Sequence, residues 1–198
     1  MHHLGHIFLA ESPPGFQFGA FIADGIRANR FNELPPEVQL GVKFHRWVDW
    51  QTDKHPAFLA ARRLLRPATG RYAGLIVDLW MDVVLGENWS AFSFEPIEAF
   101  EERFRCEVVP AYRAWAPLSW EEFVERLMHE RLLLQFGHRE GMLAHLERFI
   151  ARRKLPIDST QVIRSIEQQE FKLAQLLLDF WREAATWRTS ADTFTSKH

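Results

Sequence analysis

The chain of 198 residues carries a single cysteine, Cys106. An internal disulfide is thereby excluded, as is a metal cluster built on thiolates, and the count fits a reducing compartment. Long apolar runs are missing too, since no stretch approaches the ~20 residues that span a bilayer. The N-terminus has neither the basic start nor the apolar core of a signal peptide. The expectation is a cytoplasmic protein with no membrane partner. Charge of one sign is also lacking: 24 Lys and Arg stand against 26 Asp and Glu, a formal net charge of −2. Nothing global therefore draws the chain to nucleic acid, and an acidic partner has to find a local basic patch. Sustained apolar–polar alternation, internal repeats, low-complexity stretches and linkers are all absent, which argues against strands and against a chain of several domains.

What is present is apolar residues recurring at three and four positions almost throughout, with 47% hydrophobic residues, 17 Phe and 8 Trp. That period predicts an all-α fold, a compact single-domain bundle of seven to eight helices over residues 1–198. Proline and glycine punctuate it. Helices are expected from just after Gly15 to about Asn29, and over Glu37 to Thr52, Pro56 to Leu65, Arg71 to Leu85 and Pro96 to Glu107. Ser119 with Glu122 reads as a capping box opening a helix to Leu134. Two further helices follow, one ending at Arg153 and one, introduced by Pro156 and Asp158, ending near Trp187. Residues 189–198 are polar and expected to fray.

Several polar residues stand where this period expects core. His45, Asp49 and Asp53 recur at spacing four, as do Asp78 and Asp82, so each set shares a helix face. Asp24 follows Ile22 and Ala23 in the first long helix, with Arg27 one turn later and His6 near the N-terminus. A carboxylate such as Asp78, within "GLIVDLWMDVVLG", needs a cation or hydrogen-bond donors. Imidazole and carboxylate suit a hard or borderline divalent metal, which offsets several buried negative charges together. Structural pairing satisfies the same demand, and Asp53 serves equally well as a cap for the helix begun by Pro56. Spacing does not choose between these readings.

The segments "GHIFLAE", "FIADGIRAN", "LPPEVQLGVKFHRWVDWQTDKHP" and "VDLWMDVVLGENW", in this order, resemble the bacterial acyl carrier protein phosphodiesterase family. A late aromatic helix with "LLLDFWREA" extends the resemblance over essentially the full chain. It implies an all-helical fold similar to the His/Asp metal phosphohydrolases and dependence on manganese or magnesium. The implied reaction, in fatty acid and lipid metabolism, is hydrolysis of the phosphodiester between 4'-phosphopantetheine and a serine of acyl carrier protein. Carried over by position, it implies a metal set of His6, Asp24, His45, Asp49, Asp78 and Asp82. Arg27, Arg46 and Asp53 are then the catalytic candidates, with the arginines on phosphate. Three family histidines are replaced, by Phe8, Val83 and Asn88. Arg62, Arg63, Arg66 and Arg71 are the expected docking cations for an acidic carrier protein, with Arg152, Arg153 and Lys154 as a second cluster. A carrier-binding module without catalysis and a phosphohydrolase of another phosphodiester are the alternatives, the latter without any phosphate-cradling glycine loop in its favour.

Overall fold

Proline is the first residue of three of the helices, where a missing N–H costs nothing. These are α2 (Pro14–Ile22), α4 (Pro36–Lys54) and α5 (Pro56–Thr69). The computed structural model describes residues 2–197, and within them no strand forms; one parallel bridge joins Ala10 to Thr189. The remaining helices are α1 (His3–Leu9), α3 (Ala28–Phe31), α6 (Ala73–Glu87), α7 (Ile97–Arg103) and α8 (Val109–Tyr112). After these come α9 (Glu121–Glu130), α10 (Leu132–Phe136), α11 (Arg139–Arg153), α12 (Ser159–Ala184) and α13 (Ala191–Lys197). The all-α class predicted from periodicity is the class observed. Among the described residues no helix is long and apolar enough to cross a membrane.

Buried side chains from α1 through α13 form one contiguous cluster. Its largest members, including Phe16, Phe21, Phe44 and Trp181, are fully buried, and each such ring contributes on the order of 2–3 kcal/mol by leaving water. Helices α2 and α4 cross with their backbones in contact. A Cβ on Gly19 would collide with the Val38 carbonyl, and one on Gly41 with the Phe16 carbonyl, so only glycine lets these two backbones touch. That contact sets the height of everything one turn beyond Gly41, beginning with His45. The opposite side is held by α12, whose Trp181 Nε1 donates to the Met81 carbonyl of α6 at 2.9 Å.

Four sequence expectations change. The first long helix stops at Ile22, and a 3-10 turn over Ala23–Gly25 puts Asp24 in a bend rather than on a helix face. Pro67 does not end α5, which runs on to Thr69 although the ring forgoes the N–H bond to the Arg63 carbonyl. Ser119 caps nothing. It lies in a 3-10 turn, the N-cap of α9 is Trp120 without a side-chain hydrogen bond, and the helix breaks at Arg131 with φ 49° before α10. Finally, residues 191–197, expected to fray, form α13, whose Phe194 is buried with its ring 5.2 Å from that of Phe44. Asp158, by contrast, introduces α12 as expected, and does so as its cap, accepting from the Thr160 amide at 2.9 Å.

Candidate metal centre

His45 lies one helical turn after Gly41, and the glycine contact presses its ring against the end of α2. There its Nδ1 meets the Ala20 carbonyl at 2.8 Å. Ala20 is in the last turn of α2, where carbonyls run out of helical donors. With Nδ1–H donating to that oxygen, Nε2 faces the other way, 3.2 Å from Asp24 Oδ1 and 3.1 Å from Asp49 Oδ2. A backbone acceptor on one ring nitrogen and carboxylates around the other is the arrangement by which proteins orient a metal-ligating imidazole.

His6 arrives from α1. Its ring stacks on His45 with 3.5 Å between centroids and 15° between planes. Nε2 of His6 lies 3.0 Å from Asp49 Oδ1, yet neither ring nitrogen makes a well-directed hydrogen bond among the described residues. A buried imidazole left without such a bond is costly unless it has another ligand. One donor atom each from His6, His45 and Asp49 lies within 4.8 Å of the other two, close enough to share one ion. Beside them opens a cavity of about 190 Å³ lined by Asp24, Asp49, Thr52, Asp53 and Asp78. Its wall is therefore four carboxylates and one hydroxyl, a donor set that matches a hard divalent cation.

The electrostatics fit the geometry. Burial alone would lower the His45 pKa, but its hydrogen bonds to Asp24 and Asp49 outweigh that and raise it to about 9. His6 is lowered to about 4 by burial and by the neighbouring His45 charge. Asp24 is held well below the usual carboxylate range by the hydrogen bond from His45. Asp49 is held low as well, burial being overcome by His45 and His6. Burial pushes Asp78 the other way, upward.

The remaining sequence candidates divide. Asp53 lines the cavity and is not the cap of α5; His55 takes that role, accepting from the Ala57 amide at 3.2 Å. Asp82 is fully buried beneath the site and does not line the cavity. Its two oxygens accept from the Leu4 and Gly5 amides at 2.8 and 3.0 Å, so it anchors the N-terminus of α1 and through it His6. Burial raises its pKa to about 6, against the pull of those amides. Arg27 is exposed at the start of α3, and the Arg46 guanidinium lies over the Phe31 ring at 5.7 Å. Arg62, Arg63, Arg66 and Arg71 do converge, lining one cavity of about 450 Å³ with Leu59, Gly70 and Ala73.

Thr52 matches the family's Thr-Asp motif with Asp53 but was given no role at the site from the sequence. Its Oγ1 is buried, lines the cavity and has no hydrogen-bond partner among the described residues. Its place on the His45 face, seven residues on, was the signal available. Phe8, Val83 and Asn88, where the resemblance implies histidines, do not line the cavity. Phe8 packs edge-on against Trp89 and Trp181, Val83 is buried in the core, and Asn88 Nδ2 donates to the Val84 carbonyl at 2.9 Å.

Comparison with known proteins agrees with these motifs. A family model described as "Acyl carrier protein phosphodiesterase" matches residues 1–184. A Yersinia enterocolitica protein of that name is 27% identical over 182 residues, 91% of this chain and 94% of its own length. Proteins of the same name from Salmonella agona and Escherichia coli are 34% identical over 101 residues. Those alignments span 50% of this chain and 52% of theirs, about half the length of either. No solved structure matches the chain. With a family match running from the first helix to the end of α12, the chain belongs to the acyl carrier protein phosphodiesterase family.

Proposed function

We propose that the chain is a metal-dependent phosphodiesterase that releases 4'-phosphopantetheine from holo acyl carrier protein. The observation that carries this reading is the convergence of His6, His45 and Asp49 beside a carboxylate-walled cavity, in a chain of this family. His6, His45, Asp49 and Asp24 would hold a manganese or magnesium ion, with Asp53 and Asp78 as further oxygen donors on the same cavity. When bound, the cation supplies Lewis-acid charge at the phosphoryl group and a nucleophile from water near neutral pH. In the net reaction water adds at phosphorus, the bond to the serine oxygen breaks, and that oxygen takes a proton.

The chain's own residues do the positioning. The Ala20 carbonyl fixes the His45 ring so that Nε2 faces the carboxylates, and Asp82 holds α1 so that His6 stacks upon it. The free hydroxyl of Thr52 offers a donor to a phosphoryl oxygen. The arginine-lined cavity on α5 gives an acidic carrier protein a complementary surface, which raises encounter rates more than affinity.

The test is release of phosphopantetheine from holo carrier protein with added manganese. It should proceed with the wild-type chain and vanish in Asp24→Ala. Absence of release at every metal concentration removes the proposal, and hydrolysis of small phosphodiesters without action on the carrier would reassign the substrate.

A further inference from the structure

A cavity of about 660 Å³ opens between α5 and α12, larger than the acidic and arginine-lined cavities and away from the metal ligands. Its volume falls among those of small-molecule sites, roughly 300–1,000 Å³. The two helices run antiparallel. His55, which caps α5, meets Glu183 near the end of α12 at 3.2 Å, and at the other end Thr69 of α5 lines a cavity with Gln161 of α12. Antiparallel packing orders the lining residues from one end to the other. Arg63 and Lys172, both exposed, stand together at the end nearer Thr69. Leu64, Leu176, Leu178 and Ala60 are half-buried and form an apolar wall. At the far end the Arg182 guanidinium is already taken, donating to Asp179 Oδ1 at 2.6 Å. Among the described residues neither Arg63 nor Lys172 pairs with a carboxylate.

We infer that this groove binds a single-chain anionic amphiphile, with its carboxylate between Arg63 and Lys172 and its alkyl tail along Leu64, Leu176 and Leu178. Two unpaired cations at one end and leucines along the middle give the site a direction, head to tail. The stretch of α12 from Lys172 to Arg182 allows the tail about 15 Å. Leaving water supplies most of the affinity, and the guanidinium and ammonium fix the head. A bilayer surface calls for apolar side chains that protrude, whereas these leucines are recessed between two helices. The inference is independent of the metal-site reading. Arg63 also borders the arginine-lined cavity on α5, but Lys172 belongs to this groove and not to that one, so Lys172 carries the decisive substitution.

Decanoate titrated calorimetrically into the full chain, below its micelle concentration, is expected to saturate at one molecule per chain. Octanoate should bind at least about fourfold more weakly, because each methylene withdrawn from water strengthens binding by up to about fourfold. Lys172→Glu should weaken decanoate at least about tenfold, and Arg63→Glu likewise. Arg164→Glu makes the same charge change elsewhere on α12, outside the groove, and should bind as wild type. All three positions are exposed, so the fold survives the substitutions. Decyltrimethylammonium, with the same tail and the opposite charge, should not bind. Decanoate that never saturates, that binds Lys172→Glu as well as wild type, or that is matched by the cationic amphiphile overturns the inference. A chain that sediments with phosphatidylglycerol vesicles yet takes up no free decanoate overturns it too and assigns the surface to a bilayer.

Discussion

The rings of His6 and His45 stack at 3.5 Å, although all of α2, all of α3 and the first half of α4 lie between them in the chain. Two imidazoles this close cannot both be cations at low cost, and their nitrogens flank the same carboxylate, Asp49. The stack is held from two sides: by Asp82 under α1 and by the glycine contact between α2 and α4.

The glycine contact is the more demanding support. Gly41→Ala places a methyl group against the Phe16 carbonyl and the Gly19 Cα, which separates α2 from α4. Overpacking of this kind costs about 1–3 kcal/mol. A drop in urea midpoint of that size, accompanied by weaker manganese binding as His45 leaves Ala20, is the expected pair of results. A destabilised variant with unchanged manganese affinity would separate the crossing from the site.

Asp82→Ala removes the acceptor of two buried amides. Unpaired donors of this kind cost about 1–3 kcal/mol each. Urea unfolding should register the loss, and manganese binding should weaken because His6 is no longer anchored. Asp82→Asn keeps one acceptor and should fall between the two. Wild-type metal affinity in Asp82→Ala would detach this residue from the site.

Phe8→His introduces the residue type that the resemblance implies at this position. Here the ring faces Trp89 and Trp181, with the Arg188 guanidinium 5.0 Å from its centroid. The new imidazole is expected to lower thermal stability without raising the number of manganese ions bound. An additional ion measured by elemental analysis would show that position 8 does reach the site.

His145 gives the pH dependence. Burial, with the nearby His2, lowers its pKa from 6.5 to about 3. The folded chain thus keeps it neutral while the unfolded chain takes a proton below about 6.5, so the unfolded state binds more protons in that interval. This contribution is fully present above pH 6.5 and is lost as pH falls toward 3, with a slope of at most about 1.4 kcal/mol per unit. Urea midpoints of His145→Gln should therefore decline less steeply between pH 6.5 and 4 than those of wild type. Parallel declines would exclude His145 as a source.

Much of this architecture was legible in the sequence, for reasons that also explain what was not. The period of three and four marked the helices, and the N1 prolines marked where α2, α4 and α5 begin. Asp158 was readable as a cap because a cap bonds two residues away. Ser119 looked the same, yet the break at Arg131 and the turn before α9 depend on packing that no local motif encodes. His45, Asp49 and Asp53 were aligned by helical geometry alone. The split between Asp78, which lines the cavity, and Asp82, which holds α1, is a matter of contacts some 78 residues apart. The place of Asp24 depended on the helix ending at Ile22, which nothing local announces.

The central claim is that His6, His45 and Asp49 share one divalent cation. Crystals grown with manganese and measured for anomalous scattering test it directly. The account predicts a peak between His6 Nε2, His45 Nε2 and the Asp49 carboxylate, on the side of the acidic cavity, and its loss in His45→Ala. Density for manganese elsewhere only, or none at saturating manganese with the two rings still stacked on each other, would contradict it.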